Sequence, residues 1–252
     1  MSPNFAGKVA VITGGTSGIG LATAEAFLEG GVERVYVTGR TATTLNAALA
    51  VLGDRAVGVV SDAGTLDGLE KLKAEIDRRE DRIDILFANA GIAENNILGE
   101  TDEAFFAKTF DINVKGVFFT VQTLLPLITD KGAIVLNASI VGNKGMANLS
   151  VYNASKAAVR SFARSFATDL KARGIRVNAV SPGATVTPIM QNGLKIDDEQ
   201  MKEFEAYVAS AAPAGRMAQP PEIAAAVLFL ASPQASYING VELSVDGGLA
   251  QV

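Results

Sequence analysis

The sequence contains neither cysteine nor histidine, and these two absences remove most of the familiar catalytic chemistries. Without cysteine there is no disulfide, no thiolate nucleophile and no thiolate-ligated metal. Without histidine there is no Ser-His-Asp relay and no imidazole-held zinc, and no metal is expected. Proton transfer near neutral pH must fall to a Tyr, Lys, Asp or Glu whose pKa the fold has displaced.

A surplus of positive charge is also missing. The chain has 22 Lys and Arg against 27 Asp and Glu, a formal charge of −5, and its pI is near 4.9. Nothing in that balance attracts a phosphate backbone or anionic headgroups, so neither nucleic acid nor membrane is an expected partner. No apolar run approaches the roughly 20 residues of a membrane span. The opening MSPNFAGKV has no basic stretch leading into an apolar one, and the expected location is the cytoplasm.

What is present is a chain of 252 residues, 48% hydrophobic, long enough to form one large α/β domain over residues 1–252. Short β-branched runs recur at Lys8 to Thr13, Arg34 to Thr38, Ala56 to Ser61, Ile83 to Ala88, Ala133 to Asn137, Ile175 to Ser181 and Val241 to Val245. These predict about seven strands. Between them apolar residues return every three or four positions, as at Leu66, Leu69, Leu72 and Ile76, the spacing of a helix lying on a sheet. Strands apolar on both faces belong to a parallel sheet buried between two helical layers. The expected architecture is a doubly wound Rossmann-type fold, with its ligand crevice at the carboxyl ends of the strands.

One stretch interrupts the alternation. Gly183 to Pro221 carries Pro188, Gly193, Pro213, Gly215, Pro220 and Pro221 and no convincing strand, which predicts a functional loop at about 184–218. A helix is expected within it from Asp197 to Ser210, with Met201, Phe204, Tyr207 and Val208 on its apolar face.

The first strand runs into Thr13-Gly14-Gly15-Thr16-Ser17-Gly18-Ile19-Gly20, and helical periodicity resumes at once with Leu21, Ala24, Phe27 and Leu28. Strand, glycine loop and helix together make a phosphate cradle: glycines let the backbone approach a pyrophosphate, and the amides and positive dipole end of the helix favour its charge. The second strand ends in Gly39-Arg40 rather than the acidic residue that would hold a ribose 2′-hydroxyl. A guanidinium there can pair with a 2′-phosphate, so NADP(H) is the expected cofactor. Ser17 offers no second cation.

Tyr152-Asn153-Ala154-Ser155-Lys156 opens a helical stretch predicted to reach about Arg173, which sets Tyr152 and Lys156 one turn apart on one face. Bringing a phenol from pKa 10 to about 7 takes roughly 4 kcal/mol of preferential stabilisation of the phenolate, and a neighbouring ammonium can supply part of it. Ser139, just past the strand ending at Asn137, can hydrogen-bond a substrate carbonyl. Asn113 falls within a predicted helix, where a buried carboxamide needs partners.

In this order, the glycine loop, Asn89-Ala90-Gly91, Asn113, Ser139, Tyr152 with Lys156, Pro182-Gly183 and Val245-Asp246-Gly247-Gly248 resemble the short-chain dehydrogenase/reductase family over essentially the whole chain. The resemblance implies Tyr152 as general acid/base and Ser139 as the residue that positions the carbonyl. It implies that Lys156 binds the nicotinamide ribose and biases Tyr152, and that Asn113 holds a water leading to Lys156. It implies cofactor contacts at Gly14, Thr16, Ser17, Gly18, Ile19 and Gly20, an adenine pocket at Asp62 and Ala63 supported by Asn89 and Gly91, and nicotinamide contacts at Pro182, Gly183, Thr185 and Thr187. Two positions depart from the family pattern. Ala88 replaces a frequent Asn, weakening the expected hydrogen bonding near the adenosine, and Thr185 replaces a common aliphatic residue, predicting a more polar pocket wall.

Leu86 to Gly91 and the ending Asp246 to Val252 look most like NADPH-dependent secondary alcohol dehydrogenases that reduce ketones. Ile189, Met190, Leu194, Phe204 and Tyr207 are expected pocket walls for an apolar ketone or alcohol. The alternative within the class is 3-oxoacyl-acyl-carrier-protein reduction, with Arg160, Arg164, Lys171 and Arg173 as a basic docking patch. An NADP-sensing protein without turnover is the alternative of another class. The resemblance also implies a homotetramer, with the helix from Val151 and the carboxyl-terminal segment as interface candidates, and Gln251 as a candidate contact for a structural cation.

Overall fold

The computed structural model describes residues 4–252; residues 1–3, where the segment read as lacking a leader begins and the predicted 1–252 domain starts, lie outside the described residues. Strands β1 (Val9–Ile12), β2 (Arg34–Gly39), β3 (Ala56–Val60), β4 (Ile83–Ala88), β5 (Ile128–Asn137), β6 (Arg176–Pro182) and β7 (Glu242–Val245) form one sheet in the order β3-β2-β1-β4-β5-β6-β7. Every pairing is parallel. The order reverses between β1 and β4, which opens the crevice of a Rossmann fold at that seam.

The helices among the described residues are α1 (Gly18–Glu29), α2 (Ala42–Leu52), α3 (Leu66–Arg78), α4 (Glu103–Phe110), α5 (Gly116–Leu124), α6 (Ser150–Asp169), α7 (Ile189–Asn192), α8 (Asp198–Ala211) and α9 (Pro220–Ala231). Strand alternation divides the core in two. Val9, Val11, Leu86, Ile134 and Leu136 point to one face, where they pack with Leu72 and Ile76 of α3, Val121 and Leu124 of α5, and Val159 and Phe166 of α6. Ala10, Ile12, Ile85, Phe87 and Val135 point to the other, against Ala24 and Phe27 of α1, Leu45 of α2, and Ile223 and Val227 of α9. A strand coated on both sides in this way can be apolar throughout.

Four expectations need correction. β5 starts at Ile128, five positions before Ala133, because Ile128 pairs with Ile83 ahead of a register shift. Thr129, Asp130, Lys131 and Gly132 form that irregularity, with Lys131 at φ 63°, and their polarity disguises the strand as a turn. Leu66 does not share the apolar face of α3: it is 52% exposed, and the buried face starts at Leu69. α6 ends at Asp169, and a separate 3-10 turn, Lys171–Arg173, closes on left-handed Gly174. Asn113 sits in a five-residue π-helical turn, Asp111–Lys115, between α4 and α5, a wide turn that recurs at functional sites.

The 184–218 loop is pinned at its neck by a bridge between Thr185 and Ala218. Inside it α8 follows the predicted helix within one residue, with Asp197 as its N-cap in a capping box with Gln200. Met201, Phe204 and Val208 pack inward as expected, whereas Tyr207 is 48% exposed.

Candidate active site

A cleft of about 660 Å³ runs along the carboxyl edge of the sheet, bounded by the glycine loop at one end and the 184–218 loop at the other. At the first end the chain is folded as tightly as glycine permits. Gly14 and Gly18 have φ of 65° and 51°, and a Cβ on Gly20 would lie 2.2 Å from the Gly14 carbonyl oxygen. Gly14 donates its amide to Thr38 Oγ1 (3.1 Å), and Asn89 Nδ2 donates to the carbonyls of Thr13 (3.0 Å) and Gly14 (3.1 Å). α1 begins here with no side-chain cap from Ser17 and no acidic residue in its first turn. Its unpartnered amides and positive end therefore face the cleft, and they fit a pyrophosphate.

Arg40 is exposed at the end of β2 and lines the same cleft as Thr16, Asp62 and Ala63. Gly39 owes its identity to packing, since its Cβ would meet Thr16 Cγ2 at 2.4 Å. A side chain at position 39 would have to displace the Thr16 side chain. Asp62 turns its Oδ1 back to accept the Gly64 amide at 2.9 Å.

At the middle of the cleft Tyr152 and Lys156 rise from α6, with the Lys156 ammonium 5.7 Å from the ring centroid. Lys156 Nζ donates to the Asn137 carbonyl at 2.8 Å. Burial pushes the Tyr152 phenol up to about 12, and the Ser139 hydroxyl beside it pulls the other way. Burial also brings the Lys156 ammonium down to about 8. Both shifts share one cause, the cost of charge in an apolar setting, so with no added positive charge Tyr152 rests as a neutral acid.

The family model described as enoyl-(acyl carrier protein) reductase matches residues 14–250. The cis-4-hydroxycyclohexanecarboxylate dehydrogenase of Sinomonas cyclohexanicum is 40% identical over 256 residues, covering 100% of both chains. The 3-oxoacyl-(acyl-carrier-protein) reductase FabG of Vibrio cholerae is 37% identical over 251 residues, covering 99% of this chain and 100% of its own. A solved short-chain dehydrogenase/reductase from Brucella melitensis, described as a glucose/ribitol dehydrogenase, superimposes with a TM-score of 0.93 at 32% identity over 100% of both chains. The chain belongs to the short-chain dehydrogenase/reductase family.

In this short-chain dehydrogenase/reductase the carboxamide of Asn113 is fully buried and heavily used. Its Nδ2 donates to the Ile92 carbonyl (2.9 Å) and to Ser155 Oγ (3.0 Å), and its Oδ1 accepts the Ile92 amide (2.8 Å). Ser155 in turn donates to the Tyr152 carbonyl at 2.7 Å. Asn113 thereby ties the chain after β4 to the second turn of α6. Gly91 leaves a gap beside it: a Cβ there would come within 3.2 Å of Asn113 Oδ1 and 3.5 Å of Lys156 Nζ.

The two departures from the family pattern turn out differently from expectation. Ala88 is buried in the core cluster beneath α5 and α6 and has no part in the cleft wall, while Asn89 and Thr38 secure the glycine loop. Thr185 is buried and donates its hydroxyl to the Gly183 carbonyl at 3.1 Å, so its proton is taken by backbone and only its oxygen remains to accept from a ligand. Pro182, Gly183 and Thr187 line the cleft with it, and the missing side chain of Gly18 makes room for Thr187, whose Cγ2 a Cβ there would meet at 3.2 Å. Ile189, Met190, Leu194, Phe204 and Tyr207 all line the substrate end. Gln251 donates to Ser244 Oγ (3.1 Å) and Asp246 Oδ2 (3.3 Å).

Asn96 escaped the reading of the sequence. Its Oδ1 accepts the Val151 amide (3.2 Å), and its Nδ2 donates to Thr101 Oγ1 (3.0 Å) and Ser150 Oγ (2.9 Å). α6 has no cap of its own at Leu149, so a residue more than fifty positions upstream performs that role for the helix bearing Tyr152. Nothing in a lone Asn pair, Asn95-Asn96, signals this. Asn96→Ala is expected to lower stability by about 1–2 kcal/mol, the usual cost of a lost cap with its neighbouring bonds, and urea unfolding will measure it.

Proposed function

We propose that this oxidoreductase transfers a hydride between NADP(H) and a ketone or secondary alcohol. The observation that carries the reading is the convergence of Tyr152, Lys156 and Ser139 at one point of the cleft, between an open helix start and an apolar wall. Bound NADP(H) supplies the hydride at its nicotinamide. Gly14, Thr16, Ser17, Gly18, Ile19 and Gly20 hold its pyrophosphate, Arg40 its 2′-phosphate, and Asp62, Ala63, Asn89 and Gly91 flank the adenosine. Pro182, Gly183, Thr185 and Thr187 border the carboxamide, and Tyr152 and Lys156 bind the ribose.

In the reducing direction Ser139 Oγ hydrogen-bonds the substrate carbonyl and fixes its distance from Tyr152. Tyr152 donates its phenolic proton to the oxygen as negative charge develops there. Lys156 stabilises the resulting phenolate, and a water in the gap at Gly91, between Asn113 Oδ1 and Lys156 Nζ, returns the proton. Oxidation runs the same groups backwards. Ile189, Met190, Leu194 and Phe204 suit an apolar substrate body. NADPH oxidation across a panel of cyclic and linear ketones tests the reading, and a complete lack of turnover would point to the NADP-sensing alternative instead.

Reduction of 3-oxoacyl groups on a carrier protein is favoured by the names of several relatives, that of Vibrio cholerae among them, while the family model's description shares the carrier but names a different reaction, enoyl reduction. Against it, the expected basic patch is partly spent. Arg160 pairs with Glu242, and Arg173 pairs with Asp130 while also serving the carbonyls of Leu125 and Ile128. Rates on free against carrier-bound substrate distinguish the two.

Preference for NADP(H) over NAD(H) rests on Arg40. Arg40→Asp should raise KM for NADPH by about 10–100-fold, the worth of a charge-assisted contact replaced by repulsion, and lower KM for NADH. Steady-state kinetics with both cofactors read this directly, and an unchanged ratio refutes the assignment. We also propose a cytoplasmic homotetramer. No helix among the described residues is long and apolar enough to cross a membrane, and the exposed Phe106, Phe229 and Tyr237 are apolar surface that subunit contacts would cover. Sedimentation will give the assembly state.

A further inference from the structure

Glu242 is a carboxylate with a side chain only 10% exposed, on β7 at the edge of the sheet. Three elements converge on it. Its Oε1 accepts from Ser181 Oγ (2.6 Å) and Asn143 Nδ2 (2.8 Å), and its Oε2 accepts from Asn143 Nδ2 (2.9 Å) and from the Arg160 guanidinium. Each partner stands a short step along the chain from a site residue. Ser181 immediately precedes Pro182, the last residue of β6, and Gly183 beyond it. Asn143 follows Ser139 by four positions, through the 3-10 turn Ile140–Gly142. Arg160 follows Lys156 by one turn of α6, on the same face.

The desolvation of a carboxylate in such a setting offsets much of what its ion pair returns in stability, and the best-attested use of such a group is to fix register. An apolar residue at position 242 would hold β7 to the sheet as well. We propose that Glu242 is a positioning residue for catalysis. It locks the segment bearing Ser139, the helix bearing Tyr152 and Lys156, and the start of the nicotinamide-side loop in one relative placement, with Arg160 as its charge partner. None of these contacts involves the reacting atoms, so Glu242 acts through the residues it holds.

The pair also bears on the proton balance. Tyr152 and Lys156 are faced by Ser139 and Asn137 from the end of β5 and by Asn113 from the π-turn. The cleft wall adds Lys144, the Glu94–Lys108 ion pair and, toward the glycine loop, Arg40 and Asp62. To that field the Glu242–Arg160 pair contributes little net charge. Removing one member leaves the other uncompensated at a position one turn of α6 beyond Lys156. A stranded guanidinium favours the Tyr152 phenolate; a stranded carboxylate disfavours it.

The test uses the full chain with E242Q, R160M and the double substitution, measuring kcat against pH for ketone reduction and NADPH affinity by fluorescence. The expected result for E242Q is a kcat about 10-fold lower, as for small misplacements of reacting groups, with NADPH affinity within about twofold of wild type. The pH of half-maximal kcat should fall by about half a unit in E242Q, rise by a similar amount in R160M, and return near the wild-type value in the double variant. Glu75→Gln, which removes a carboxylate shared by two arginines on the distant α3, should leave kcat and its pH profile unchanged. Wild-type kcat and pH profile in both single variants would overturn the proposal, as would shifts of the same sign in both, which general loosening produces. Should E242Q fail to fold, R160K decides: recovery of most of the kcat lost in R160M supports the assignment, and no recovery refutes it. The inference rests on Tyr152 as the acid, yet the two fail separately. Turnover surviving in Tyr152→Phe defeats the mechanism, whereas an inactive Tyr152→Phe beside a fully active E242Q defeats only the role of Glu242.

Discussion

Tyr152→Phe is expected to lower kcat for ketone reduction by about 10²–10⁴-fold, the usual contribution of a positioned general acid, while NADPH binds within about threefold of wild type. The substitution removes one oxygen and keeps the ring, so the apolar packing of Tyr152 against the cluster around Met190 and Val208 survives. Lys156 retains its bond to the Asn137 carbonyl. What disappears is the only phenol in the cleft among the described residues apart from the half-exposed Tyr207. The chain has no imidazole, and the neighbouring Lys156 ammonium is held back at the Asn137 carbonyl, so it should give no more than the residual rate. The burial that pushes the phenol up to about 12 ensures that wild-type Tyr152 enters reduction protonated, so kcat in that direction should hold level through neutral pH. Single-turnover absorbance of NADPH and a fluorescence titration separate chemistry from binding. Undiminished turnover in Tyr152→Phe would remove the mechanism and leave the family membership as a description of shape.

Gly20→Ala is expected to abolish measurable NADPH binding at concentrations that saturate the wild type, a loss of at least about 100-fold. The added methyl would lie 2.2 Å from the Gly14 carbonyl oxygen and 2.6 Å from Asn89 Nδ2, and neither can yield cheaply. Gly14 is anchored through Thr38, and Asn89 Nδ2 already bridges two loop carbonyls. Relief must come from moving the start of α1, the element that presents its amides to the cleft. Overpacking of this kind costs about 1–3 kcal/mol in stability, so the melting temperature should fall as well. Gly145→Ala is the matched control, because a Cβ there meets nothing within 4 Å. Calorimetric titration of both variants is sufficient, and a Gly20→Ala protein that binds NADPH normally would remove the glycine loop from the cofactor site.

The parts of the site that could be read in advance share a property: their signal is local. Tyr152 and Lys156 are four residues apart on one helix, the glycine loop is eight consecutive residues, and Arg40 immediately follows a strand. Asn113 was found by position, but its partners were not, because Ile92 and Ser155 lie 21 and 42 residues away. The cap that Asn96 places on α6 spans 55 residues. Gly39 was read as the absence of an acid, and only the structure shows that a side chain there would press on that of Thr16. Thr185 was expected to make the pocket wall more polar until its hydroxyl proved to be turned toward backbone.

The sequence by itself therefore determined the alternation of strands and helices and the side of the sheet on which the crevice opens, and it singled out the residues proposed as the acid, its ammonium neighbour and the phosphate cradle. Periodicity, turn residues and short spacings encode these, because each is a property of neighbouring positions along one backbone. The tertiary structure alone decided which groups hold that machinery in place: the bulge that extends β5, the borrowed cap on α6, and the junction at Glu242 joining residues 61, 82 and 99 positions away. Hydrogen bonds between distant segments have no period to read, since they exist only once burial has brought the segments together and left each polar group in need of a partner.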